Sequence, residues 1–97
     1  MKIIKCLSEF IEEEIGDAEK YAKKALETKT EYPDIANLMN TLSLEEMKHM
    51  QLLHNAVAKL IEDYRKIKGE PPAAMLAVYD YLHEKFIEEA KEVKIMQ

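Results

Sequence analysis

At 97 residues the chain has the length of one domain, and 47% hydrophobic with 34% charged residues is a globular balance that excludes a disordered polymer. A net charge of −5, with lysines interleaved among acids as in DAEKYAKKALETK, argues against nucleic acid, which requires a single-sign basic face. Two glycines and three prolines favour helix, no stretch is apolar enough for a membrane span, and a lone Cys6 allows no internal disulfide. A soluble cytoplasmic protein is the expectation.

The first helical segment is expected over about 3–29, where Ile4, Leu7, Ile11, Glu14, Ala18, Tyr21 and Ala25 recur at spacings of three and four. EYPD at 31–34 breaks the pattern, and Asp34 after Pro33 is the expected N-cap of a second segment over about 34–67. Its stripe reads Ile35, Leu38, Leu42, Glu46, His49, Leu53, Val57, Leu60, Tyr64, Ile67. Gly69 suits a C-terminal cap, and Pro71 and Pro72 prevent continuation. A second apolar line on this helix, Leu44, Met47, His54, Ala58 and Ile61, calls for cover on another side, from a partner chain or from the third helix. The third segment, about 73–96, carries Met75, Val78 or Tyr79, Leu82, Phe86 and Val93. The fold class is therefore all-α, an antiparallel helical hairpin plus a third helix in one domain over 1–97.

Three ionisable residues interrupt the apolar stripes: Glu14, Glu46 and His49. Unpaired buried carboxylates cost several kcal/mol, so the three should be paired, hydrogen-bonded or metal-bound. In a hairpin turning near residue 31, Glu14 lies about 17 residues before the turn and Glu46 and His49 about 15 and 18 after it. At about 1.5 Å rise per residue, all three fall near one level. Glu46 and His49, at i and i+3, project from one face. Two carboxylates and an imidazole suit iron, manganese or zinc. Glu-x-x-His with a Glu on a neighbouring helix is half of a carboxylate-bridged di-iron site.

Asp80 and His83 form a tempting Asp-x-x-His on the third helix. Reflection of 46–49 across the turn near residue 70 reaches about 91–94, which reads KEVK and holds one carboxylate and no histidine. The missing half-site is therefore expected from a second copy of the chain related by a two-fold axis.

EFIEEEIGDAEKYAKKAL followed by IANLMNTLSLEEMKHMQLL resembles the first helical pair of the ferritin-like superfamily, the rubrerythrin-like branch in particular. Glu14 followed seven residues on by Tyr21, and the pair Glu46 and His49, carry the resemblance over about residues 7–67. The chain is most similar to half-sized members such as the encapsulated ferritins. What this implies is a ferritin-like four-helix bundle completed by dimerisation, as a homodimer or higher even-numbered homo-oligomer. It also implies about one iron per chain in a shared di-iron centre, and oxidation of ferrous iron by oxygen, a ferroxidase activity serving storage or detoxification. Tyr21 is then a hydrogen-bond partner to a ligand carboxylate. The end EEAKEVKIMQ continues a helix where a docking peptide would stand, so an encapsulin shell is not indicated.

Asp17 could extend the ligand set, but reads better as a solvated acid; His54 reads as a core or interface histidine. Asp80, His83 and Glu84 are candidates for a separate surface metal site. Met39, Met47 and Met50 read as core filler, Tyr79 and Tyr81 as packing or boundary aromatics, and Cys6 as an inert, partly buried thiol. The alternative function is a metal-free helical self-assembly or partner-interaction bundle, in which Glu14, Glu46 and His49 form a buried polar network. A histidine phosphotransfer bundle is disfavoured, because His49 is followed by MQLL rather than by a lysine and a small residue.

Overall fold

The computed structural model describes residues 2–97, the side chains of Met75 and Val78 aside, so the expected roles of those two lie outside the described residues. Three helices account for nearly all of it: α1 (Lys2–Thr28), α2 (Pro33–Lys68) and α3 (Ala73–Met96), with no strand among the described residues. Each boundary lies within one residue of its sequence expectation. The molecule is a rod of 56 × 18 × 17 Å, its length set by the 36 residues of α2.

Local chemistry explains the breaks. Proline disfavours helical backbone in the residue before it, and Tyr32 sits at φ −133°, ψ 68°. Pro33, whose missing N–H costs nothing at the first helical position, then opens α2. The expected cap at Asp34 is not formed: the cap residue is Tyr32, without a side-chain bond, and Asp34 lies in the first turn beside the helix dipole. Gly69 ends α2 as expected, at φ +80°, its N–H donating to the Arg65 carbonyl.

The buried line of α1 is Ile4, Ser8, Ile11, Ile15, Ala18, Ala22, alternating steps of four and three as in coiled-coil packing. It lies beside the expected stripe: Ile4, Ile11 and Ala18 are shared, while Ser8, Ile15 and Ala22 replace Leu7, Glu14, Tyr21 and Ala25. On α2 the buried residues are Ala36, Ser43, Val57 and Ile61, and Ile35, Leu38 and Ile67 of the expected stripe are exposed. Both displacements have one cause. Each helix is apolar over a wide arc, and its packing partners select which part faces inward: α2 and α3 for α1, chiefly α1 for α2.

Ile11, Ile15, Val57, Ile61, Phe86 and Val93 form the core, with Met47, Met50, Leu53, Leu60, Tyr79 and Leu82 packed against it. Fully burying a side chain such as Ile15 or Val57 contributes about 1.5–3 kcal/mol. Ser43 is buried outright and joins all three helices. Its hydroxyl donates to the Ala18 carbonyl at 2.7 Å and accepts from Nε2 of Gln97 at 2.7 Å. The expected cover of the second α2 line by a partner chain is met in part by α3: Ile61 is buried, Met47 packs on the core and His54 contacts α3, while Leu44 and Ala58 stay exposed.

Candidate metal centre

Glu14 stands near mid-length of α1, and Glu46 and His49 stand near mid-length of α2. The Ser43–Ala18 hydrogen bond sets the register one turn nearer the connection. His49 Nδ1 consequently lies 3.5 Å from Glu14 Oε2 and 3.8 Å from Glu46 Oε2. One ligand-type atom from each of the three falls within 4.8 Å of the others, the sole such cluster of three among the described residues. All three residues thus stand at one level, as counting from the turn predicts.

Their surroundings differ from the stripe reading. The carboxylate side chains are 26% and 20% exposed, whereas His49 is 55% exposed. At 100° per residue, His49 lies off the line through Ser43, Val57 and Ile61, so its ring stands at the rim and can turn inward or to solvent.

Glu14 Oε2 is enclosed and has no hydrogen-bond partner among the described residues. Glu46 has its carboxyl raised to about 7, chiefly by a hydrogen bond to Glu14, then by burial and by the Glu14 charge; His49 opposes this and Asp17 adds to it. The two facts are consistent. With both carboxylates ionised neither offers a donor, and a proton on Glu46 provides one. Either a shared proton or a cation satisfies the pair.

Asp17 is solvent-exposed. Tyr21 is half-buried, and its hydroxyl makes no hydrogen bond to either carboxylate among the described residues. Asp80, His83 and Glu84 do not gather into a metal-binding group. Asp80 and Glu84 are exposed, while His83 turns to His54. Nδ1 of His83 and Nε2 of His54 are 2.7 Å apart, with the rings stacked at 4.5 Å, and the Tyr79 ring stacks on His83 at 5.7 Å. This pair was within reach of the sequence, because reflection across the turn near residue 70 sets 54 one turn from 83. Burial lowers the His54 pKa, and the neighbouring His83 lowers it further. Met47 and Met50 pack on the core as expected, Tyr81 is exposed, and Cys6 is a half-buried free thiol.

No helix among the described residues is long and apolar enough to cross a membrane. No family model, curated protein or solved structure matches the chain.

Proposed function

We propose that this chain is half of a ferritin-like bundle that binds ferrous iron through Glu14, Glu46 and His49 and oxidises it with oxygen, at a site completed by the same residues of a second copy. The convergence of these three side chains, with Glu14 Oε2 enclosed and lacking a donor, carries the reading. Carboxylate oxygens and one imidazole nitrogen suit iron, and carboxylates favour the ferric product. In the oxidation each ferrous ion loses one electron and dioxygen accepts the electrons of two. The chain contributes the binding: Glu14 and Glu46 would neutralise the cation, and His49, at the rim, would supply a nitrogen ligand.

The flank holding the site supports a second copy. Lys85 of α3 pairs with Glu12 at 3.8 Å, so α3 covers the side of α1 bearing Ser8 and Glu12, away from Glu14. The opposite flank keeps Phe10, Ile35, Leu38 and Leu52 between 44% and 68% exposed. An apolar surface around a half-complete ligand set is what a two-fold partner would cover.

Anaerobic titration of the metal-free chain with ferrous iron, followed by oxygen, tests the reading. The expected result is saturation near one iron per chain, an even-numbered oligomer by native mass, and ferric absorption after oxygen. Joint replacement of Glu14, Glu46 and His49 by leucine should abolish iron binding; oxidation by that variant at the parent rate would overturn the proposal.

One observation favours a second reading. The Glu14 and Glu46 carboxyls lie within one cluster, so a proton held on Glu46, whose carboxyl is raised chiefly by donation toward Glu14, satisfies the pair without metal. The chain would then be a self-assembling or partner-binding bundle, and the triple leucine variant would keep or gain stability and retain its oligomeric state.

A further inference from the structure

On the side away from the carboxylates, α2 and α3, with Ile11 of α1, flank a partly open apolar cleft of about 660 Å³, within the range of ligand-binding pockets. Met47, Met50, Phe86, Ile87 and Ala90 form its walls. Two cross-helix contacts bound it: the His54–His83 pair at one end and the Gln97–Ser43 hydrogen bond at the other. Residues 83 and 97 are separated by about 20 Å of helix.

The charges around the cleft run against the composition of the chain. Acids outnumber bases 19 to 14 overall, yet no acidic side chain lines the cleft while Lys48, Lys91 and Lys94 do, all three exposed. Lys91 also reaches Glu88 at 3.4 Å; Lys48 and Lys94 have no ion-pair partner among the described residues. Lys91 and Lys94 lie toward the Gln97 end and Lys48 near mid-length, while the His54 end holds no charged side chain, its polar groups being Gln51 and two ring nitrogens that satisfy each other.

We infer that this cleft binds a single long-chain anionic amphiphile of the fatty-acid class, its carboxylate among the lysines near Gln97 and its chain directed toward Phe86 and the histidine pair. Closure at both ends favours one flexible chain over a partner helix, which needs an open-ended groove to lie in. Two methionines in the walls supply the adaptability that a bent alkyl chain requires. The lysine rim selects an acid over a neutral lipid of equal length.

The test uses the full, metal-free chain stripped of carried lipid, with hexadecanoate below its aggregation limit as the probe and hexadecanol as the uncharged control. Methyl NMR of Met47 and Met50 and native mass provide the readouts. Hexadecanoate should bind one per chain and move both methyl signals, and hexadecanol should bind on the order of tenfold more weakly. Lys48→Glu combined with Lys94→Glu should weaken hexadecanoate by a similar factor without affecting the fold, because both side chains are solvated. Ala90→Phe should block the cleft; if it disturbs α3 packing, the lysine variant decides.

Equal binding of acid and alcohol, or of parent and double lysine variant, would overturn the assignment. So would unmoved Met47 and Met50 signals. Intermolecular cross-linking of Ile87→Cys to a second chain, undiminished by hexadecanoate, would overturn it too, by assigning the cleft to a copy of this chain.

Discussion

Replacing Glu46 by glutamine should stabilise the metal-free protein and do so more at alkaline pH than at acid pH. The carboxyl is raised from the ordinary 4.5 to about 7, so between those values the folded chain holds a proton that the unfolded chain has released. Stability therefore falls as pH rises through this window, and the deficit is complete above about 7. A shift of this size corresponds at face value to about 3 kcal/mol. Solvent reaches the pair through the exposed His49 and screens it, so about 1–2 kcal/mol is the expected penalty. Glutamine removes the charge and can donate to Glu14 Oε2, whose lack of a donor is the structural source of the penalty. Thermal unfolding by circular dichroism, with chelator present, should show the variant melting above the parent by roughly 5–10 °C at about pH 8, with little difference at about pH 4.5. A variant that melts below the parent at alkaline pH, or a difference independent of pH, would refute the reasoning. The same variant should bind ferrous iron more weakly.

Ser43→Ala, at the junction of the three helices, should cost about 1–2 kcal/mol in urea unfolding, because one hydroxyl serves both Ala18 and Gln97. Val57→Ala should cost about 2–3 kcal/mol by the same measurement, from two lost methyl groups and the cavity they leave. Acid should loosen α3. Burial and His83 hold the His54 pKa below its ordinary 6.5, so its contribution is present above that value and is lost as pH falls through 6.5 toward the lowered folded pKa. The protection factors of α3 amides, taken against the intrinsic exchange rate at each pH, should therefore fall between about pH 7 and 5, and His54→Leu should flatten that response; an unchanged slope would sink the assignment to this pair.

The helix ends were readable because their causes are local: Pro33 forces one break, and the left-handed Gly69 permits the other. The coincidence of Glu14, Glu46 and His49 was readable because straight helices advance uniformly from a short connection, so counting residues measures height. The inward faces were harder. Leu7 and Ser8, or Tyr21 and Ala22, are adjacent on α1, and nothing within α1 decides which faces the interior; Phe86 and Val93, arriving from α3, do. The histidine pair is not visible along either helix alone, because the contact between His54 and His83 spans two helices. Ser43 shows the same limit from the opposite side. A serine within an apolar run reads as a solvent-facing break until its two partners, 25 and 54 residues away in sequence, are known.

The four-residue connection between α1 and α2 also bears on the order in which the molecule assembles. Contacts between these two helices are nested around residues 29–32, so pairing can spread outward from the connection without closing a large loop. The bond from Ser43 to Ala18 forms early on that route, and the Glu14–His49 encounter follows about one turn later. Gln97, by contrast, must cross 54 residues of chain to reach Ser43. During synthesis Glu14, Glu46 and His49 would thus come together while α3 is still being made, and the cleft between α2 and α3 would arise only with α3. Pulse-labelled hydrogen exchange during refolding should find α1 and α2 amides protected before those of α3; simultaneous protection would show that the three helices condense as one unit.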